Sequence, residues 1–435
     1  MSGATHPGHT PESTDRVALV SQWFPPEPTG IPLGIARSLR GHGFPVDVLT
    51  GVPNYPTGIV HSGYRAHRRS LENRDDLRVL RTPLYPSHDR SAVRRTVNYL
   101  SWAASSTALG GTILRDADVA LVYGSPITAV SAAMAARLRW GTPYVLMVMD
   151  LWPDSVFATG FLSDGPGRRL AQYALGRFTD RAYRWADHVT VPSPGLRETV
   201  VARGVPAEKV SVVYNWADEK VMQPTEADPG LRTRLGLGRD DFVVMYAGNL
   251  GAAQRLDVVV EAMEHLGDLP DVHLVLVGDG VERPRLRERA RPLSNVHFVD
   301  QIEPYRIAAA MAAADLQMVS LADEPLFRIT LPGKVQAILA CGQPVLVCAP
   351  GDAARIVTDA GAGFAAPPGD PVGLAEVIRQ ARATPAHRLR AMGDAGRRHY
   401  LLHMSEATNA QVLADLLARA ARRRGSATRQ DKETG

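Results

Sequence analysis

Two cysteines in a chain of 435 residues leave nothing from which to build a disulfide scaffold. Cys341 and Cys348 share one apolar segment and lack the paired spacing of a zinc site, so they read as small buried hydrophobes. Aromatic residues are scarce too, at 6%, whereas alanine and arginine are abundant. An excess of one charge is also missing: 49 Lys and Arg stand against 45 Asp and Glu, a net +4 spread along the chain. That balance admits small anionic partners but gives no concentrated basic field, so no nucleic-acid partner is expected. The N-terminal MSGATHPGHTPESTDR has no basic stretch followed by an apolar one. No secretion signal is therefore expected, and the cytoplasm is the default compartment. Long apolar runs are absent as well. The nearest approach is Thr96 to Leu114, uncharged over nineteen residues but diluted by Asn98, several Ser and Thr and a Gly-Gly pair. A buried or surface-lying helix fits it better than a membrane span.

What is present is a rhythm. VALVSQWF, PVDVLTG, DVALVYGS, LMVMDLW and HVTVPS are short apolar runs separated by helical stretches. The pattern restarts after Asp218 with DFVVMYAGNL, HLVLVGDG, VHFVD, LQMVSL and PVLVCAP. Such alternation predicts parallel sheets in α/β domains, and the length is that of more than one core. The expectation is two doubly wound domains, 16–218 and 219–400, with the connection near residues 215–229. A flexible N-terminus, 1–15, precedes them. A helix over 401–422 is expected to pack back on the first domain, and a disordered basic tail over 423–435 closes the chain.

In open parallel sheets ligands sit beyond the carboxyl ends of the strands, so residues directly after each apolar run are the candidates. In FPPEPTGIPLG, Gly30 opens a helix whose free N–H groups can receive an anion, and Glu27 can face a sugar; a plain strand-to-helix turn is the alternative. In YAGNLGAAQRLD, Gly248, Asn249 and Gly251 let backbone approach a ligand, and Arg255 can reach a diphosphate. HLVLVGDG places Asp279 after a strand but departs from the dinucleotide fingerprint, so NAD is not expected. In LPGKVQAILA, Lys334 follows Pro332 and Gly333 at a helix start. A cation there opposes the macrodipole unless an anion lies between; a solvated lysine is the alternative. In DLWPDS, Asp150 ends an apolar run, with Trp152 beside it, in a position suited to hydroxyl recognition or general-base work. Asp154 and Ser155 can equally serve as helix caps.

SQWFPPEPTGIP, TGVPNYPTG, DLWPDS, VVYNWAD, YAGNLGAAQRLD and LPGKVQAILACGQPVL, in this order from Ser21 to about Pro350, resemble the retaining glycosyltransferases of family 4. The likeness is greatest to the bacterial branch of fucosamine and colanic-acid transferases. It implies the GT-B architecture: two Rossmann-like doubly wound parallel-sheet domains facing a central cleft, acceptor on the N-terminal domain and nucleotide-sugar on the C-terminal one. It further implies a donor that is usually a UDP-sugar, no metal or other cofactor, and a carbohydrate or polyprenyl-linked acceptor. The cytoplasmic face of the inner membrane would be the working surface. By the same resemblance Lys334 and Arg255 act on the donor diphosphate, with Gly30, Gly248, Asn249, Gly251, Asp279, Pro332 and Gly333 around the donor. Asp150 lies near the reacting carbon, with Glu27, Tyr55 and Trp152 on the acceptor side. Two departures stand out. The family's pair of glutamates falls here on Ile329 and Ala337, leaving Glu324 as a substitute carboxylate. A lysine of relatives falls on Ala252, which Arg255 can replace. Glycosylation of a small natural product, a nucleotide-sugar 2-epimerase and an inactive sugar-nucleotide binder are the alternatives.

Overall fold

The computed structural model describes residues 15–88, 91–154 and 166–433. The expected flexible segment 1–15 and Ser155 thus lie, apart from Asp15, outside the described residues. Two sheets organise the chain. The first contains β1 (Val17–Val20), β2 (Val46–Gly51), β3 (Ser70–Arg74), β4 (Leu77–Thr82), β5 (Val119–Tyr123), β6 (Tyr144–Met147), β7 (His188–Val191) and β8 (Val210–Val212). Its order is β3-β4-β2-β1-β5-β6-β7-β8, and β3 alone runs antiparallel to its neighbour. Every residue of β1 is buried, which is why the strand is an unbroken apolar run: helices cover both faces.

The second sheet contains β9 (Phe242–Ala247), β10 (Val272–Val277), β11 (Val296–Val299), β12 (Leu316–Ser320), β13 (Val345–Cys348) and β14 (Gly363–Ala366), in the order β11-β10-β9-β12-β13-β14, all parallel. Alternate residues of β9 feed two cores. Val243 and Met245 pack with Val335, Ile338 and Leu339, while Val244 and Tyr246 pack with Leu256, Val259 and Met263. In both sheets the strand order reverses beside the first strand, between β1 and β5 and between β9 and β12. The carboxyl ends at such points are where doubly wound folds hold ligands.

Helices α1 (Gly30–Gly41), α2 (Ala92–Leu109), α3 (Val130–Trp140) and α4 (Pro166–Trp185) accompany the first sheet; α5 (Leu256–Glu264) and α6 (Gly333–Ala340) accompany the second. The last helix, α7, spans Glu406–Glu433. The chain divides into two compact units, one of Met1–Pro192, Arg197–Val213 and Ala410–Gly435, the other of Ser193–Leu196 and Tyr214–Asn409. The division falls after Val213 rather than after residue 218. The reason is local: Tyr214 N donates to Asn409 Oδ1 at 2.8 Å and Ala217 N to the Tyr400 hydroxyl at 3.1 Å, tying this segment to the second unit. The segment expected to be a connection is therefore anchored.

The basic tail also differs from expectation. No proline interrupts it, and α7 continues through it to Glu433. The uncharged Thr96–Leu114 stretch breaks near Gly110, buries Trp102 and continues as a short helix over Gly111–Leu114. No helix among the described residues is long and apolar enough to cross a membrane. Cys341 and Cys348 are both free and buried.

Candidate active site

In the second unit, α6 starts at Gly333 after an extended Pro332, and Lys334 lies in its first turn. Its ammonium does not point into solvent. It donates to the Tyr246 hydroxyl and lies 3.8 Å from the centroid of that ring, in cation–π geometry. Burial of Tyr246 raises its pKa, so the hydroxyl stays neutral and gives no compensating charge. Among the described residues no carboxylate pairs with Lys334, and burial alone lowers its pKa from 10.5 to about 8. Gly248 lies directly beneath. Its φ is 142°, and a Cβ there would meet Lys334 Cε at 2.4 Å. Only glycine fits between the strand end and this lysine.

Gly248 also lines a recess of ≈ 380 Å³ at the carboxyl ends of β9 to β11, together with Asn249, Asp279, Gln301 and Ile302. Asn249 is exposed, and its carbonyl accepts from the Tyr246 hydroxyl at 2.7 Å, which ties the loop to the residue under Lys334. Asp279 Oδ1 accepts from Gly280 N at 2.8 Å, while its carbonyl accepts from Leu250 N at 2.8 Å. Gly251 is buried, and its N–H donates to Gln254 Oε1 at 3.2 Å. So Lys334, Gly248, Asn249 and Asp279 are brought together around one feature.

Other candidates of this unit stand elsewhere. Arg255 is turned onto Asp257, with Nε 3.0 Å from Oδ1 and Nη2 3.2 Å from Oδ2. Its fork is occupied, because an acid two residues along is nearer than anything else it can reach. Glu324 is exposed at the start of a short helix, Pro325–Arg328, whereas its neighbour Asp323 pairs with Arg328 at 2.8 Å. Ile329 and Ala337 carry no polar atom toward a ribose, as the sequence requires.

In the first unit, Asp150 follows β6 and accepts from Ser125 Oγ, at the end of β5, at 2.9 Å. Burial raises the Asp150 pKa, and the Ser125 bond opposes the rise. The residue still presents open surface, so it is a carboxylate walled in on one side and wet on the other. Beside it runs a continuous file of rings, four from separate loops and one, Tyr99, from α2. Trp152 meets Tyr99 at 6.2 Å, Tyr99 meets Trp23 at 6.3 Å, Trp23 meets Tyr55 at 5.4 Å and Tyr55 meets His88 at 4.6 Å. All five are half-buried, so each keeps surface available to a ligand.

Glu27 is the clearest correction. It is 3% exposed, and its carboxylate accepts from Phe24 N at 3.0 Å and from Asn54 N and Tyr55 N, both at 2.8 Å. Burial still raises its pKa against these bonds and nearby Arg81. It splints the loop after β1 to the loop after β2 and offers no surface to an acceptor. Its bonds hold the backbone of Phe24, Asn54 and Tyr55. Arg81, 0% exposed, completes the splint by donating to Gly51 O at 3.1 Å and to Pro25 O. Gly30 opens α1 with no atom within 4 Å of where a Cβ would stand, and at Gly333 a Cβ would meet only Gln336 Oε1, at 3.8 Å.

Sequence reasoning missed Tyr246, Gln301, Ser125, Trp23 and Tyr99. Tyr246 and Ser125 were reachable, since each directly adjoins a predicted strand end. Tyr99 sits mid-helix in α2 and carries no local signal. Among the described residues, no group of three or more His, Cys, Asp or Glu is placed to hold a metal ion.

Two family models match this chain: a glycosyl transferase 4-like domain over residues 31–216 and the glycosyl transferases group 1 domain over residues 241–383. WcaI of Escherichia coli (strain K12), whose name assigns it to colanic acid biosynthesis as a glycosyl transferase, is 28% identical over 75% of this chain and 81% of its own length. A GDP-mannose-dependent alpha-mannosyltransferase of Mycolicibacterium smegmatis is 27% identical over 76% and 79%. Among solved structures, HepE of Anabaena in complex with UDP and glucose superposes with a TM-score of 0.64 at 19% identity, covering 93% of this chain and 100% of that one. Two doubly wound parallel-sheet units and this superposition define the fold as GT-B. With these two domain models matched in succession over most of its length, the chain belongs to the family 4-like glycosyltransferases.

Proposed function

We propose that the protein transfers a sugar from a UDP-sugar, with retention of anomeric configuration, to a glycan or polyprenyl-linked acceptor. The donor is assigned to the second unit and the acceptor to the first. One observation carries this reading: Lys334 is a half-buried ammonium with no acid beside it among the described residues, above a glycine that leaves its approach clear. A nucleotide diphosphate leaving group gains negative charge as the glycosidic bond breaks. A preorganised cation in a poorly solvated place stabilises that charge. The N-terminus of α6 adds backbone N–H groups from the same side. The adjoining recess, with Asn249, Asp279 and Gln301, is assigned to the nucleoside. With Ile329 and Ala337 unable to hold the ribose, Asp279 takes that role here rather than Glu324. Asp150 is the acceptor-side base. The leaving phosphate itself directs front-face attack, which requires no metal from the protein.

Purified protein is incubated with UDP- and GDP-sugars and lipid-linked acceptor extract, and products are followed by mass spectrometry. UDP release that depends on acceptor, with one new sugar on the lipid and no loss of rate in EDTA, is the expected outcome. Turnover of GDP-sugars alone would move the donor to the guanine series. Interconversion of free UDP-sugars without acceptor would replace transfer by epimerisation.

A peripheral position at anionic lipid is part of the same reading. Helix α4 exposes Leu170 (70%) and Tyr173 (67%) beside exposed Arg169, Arg177, Arg181 and Arg184, with Asp180 as its single acid. Arginines beside exposed apolar side chains suit the interface of an anionic bilayer. Helix α2 adds Val93, Val97 and Leu100, exposed at helical spacing. Leu170→Glu with Tyr173→Glu should lower co-sedimentation with phosphatidylglycerol vesicles at least roughly fivefold. Unchanged sedimentation would remove the membrane from this reading.

A further inference from the structure

A second hollow, this one with cations in its lining, lies in the first unit, at the end of the sheet opposite Asp150. It measures ≈ 320 Å³ and is lined by Arg137, Asp187, His188, Glu208, Lys209 and Arg423, among others. These come from the last turn of α3, the start of β7, the approach to β8 and helix α7. The backbone fixes which end this is: Asp187 N donates to Tyr144 O at 2.8 Å, at the first residue of β6, whereas Asp150 follows the last. In a parallel sheet all strands begin on the same side, so the hollow is separate from the candidate active site.

We infer that this hollow binds a compact soluble anion of the phosphate class. The charge balance points there. Asp187 is already engaged, pairing with Arg137 and accepting from Tyr144 N at 3.0 Å. Glu208 and Arg423 are both exposed to solvent, which screens their opposite charges alike and leaves half-buried Lys209 as the least screened charge of the lining outside the Arg137–Asp187 pair. Lys209 uses one ammonium N–H on Arg184 O at 2.6 Å and has two more to give. His188 shares a hydrogen with Ser211 Oγ at 2.9 Å. The cations are crowded: burial first, then Arg419, Lys209 and Arg423, holds the His188 pKa down to about 4. Lys209 is lowered by burial, with Arg137 and Arg423 adding to the effect and Asp187 opposing it. Charges held this close are stabilised by an anion among them. Because Arg423 is carried on α7 while His188 starts β7 and Lys209 directly precedes β8, the anion would fasten the C-terminal helix to its unit.

The test uses full-length protein carrying Lys334→Ala, which silences the other proposed phosphate site. Inorganic phosphate at roughly 50 mM should raise Tm by about 3 °C over chloride of equal ionic strength. Lys209→Gln and Arg423→Gln should each weaken phosphate binding at least roughly fivefold by calorimetry, and Glu208→Gln should tighten it about twofold. Phosphatidylglycerol vesicles of equal phosphorus content should give no stabilisation that depends on Lys209. The inference is overturned if phosphate matches chloride, or if its effect survives in the Lys209→Gln/Arg423→Gln double variant. A Lys209-dependent effect larger with vesicles than with phosphate would also overturn it, by making the ligand a lipid head group. Should the double variant not fold, Glu208→Gln decides alone, and no change in affinity overturns the inference.

Discussion

Lys334→Ala should weaken UDP binding by about 30- to 100-fold and lower kcat/KM by about 10²- to 10³-fold, because in the proposed function the ammonium it removes makes a charge-assisted bond that is strongest on the departing diphosphate. Calorimetry with UDP and steady-state UDP release measure the two quantities. Equal affinity in variant and parent would remove the diphosphate from this position. Gly248→Ala should reproduce much of the loss without touching the charge, since the added methyl occupies the place of Lys334 Cε, 2.4 Å away. The pH dependence carries a definite sign. With a pKa of about 8 in the free protein, Lys334 is mostly charged at pH 7 and half-charged near pH 8. A bound diphosphate raises that pKa, so binding at pH 8 takes up close to half a proton and affinity falls as pH rises from 7 to 9. Lys334→Arg keeps its charge and should lose the proton uptake. Stability runs the other way. The folded pKa lies below the ordinary 10.5, so the unfolded chain binds more protons between about pH 8 and 10.5, and stability rises through that window. Lys334→Ala without ligand should therefore be no less stable than the parent at neutral pH, a cost carried for function.

How far the sequence foretold this arrangement depends on the range over which each signal acts. The strands of both sheet centres were legible because they are buried on both faces and appear as apolar runs. The β3–β4 hairpin was not, since SLENR alternates exposed and half-buried residues at an edge. Nor was β14, whose GFAA has little β character. Lys334 and Gly248 were legible one at a time, each by its place at a helix start or strand end. Their contact joins residues far apart in the chain, and only the folded sheet brings them together. Glu27 was misread for a related reason. An acid in a turn after a strand looks available, and its capture by Asn54 N and Tyr55 N depends on a loop from another strand. Arg255 failed in the opposite direction, claimed by Asp257 only two residues away. There a short-range ion pair, visible in QRLD, outweighed the imagined long-range one.

Asp150→Asn should cut transfer by about 10²- to 10⁴-fold while leaving UDP affinity within about twofold, because Asp150 belongs to the first unit and Lys334 to the second. Loss of transfer and UDP affinity together would instead make Asp150 a donor ligand or a structural residue. To accept a proton from an acceptor hydroxyl the carboxylate must be ionised. Its burial sets the acid limb of the rate profile above the ordinary carboxylate range, and activity falls as pH drops through that limb. Ser125 supplies the check. Its hydroxyl lowers the Asp150 pKa through the 2.9 Å bond, so Ser125→Ala should move the acid limb further upward while keeping most of the plateau rate. A merely structural Ser125 would reduce the plateau and leave the limb in place. The neighbouring rings sharpen the distinction. Tyr99→Ala removes the link between Trp152 and Trp23 in the aromatic file, and it should raise the acceptor KM without moving the acid limb. Base and platform then separate by experiment: one variant shifts a pKa, the other weakens a stack.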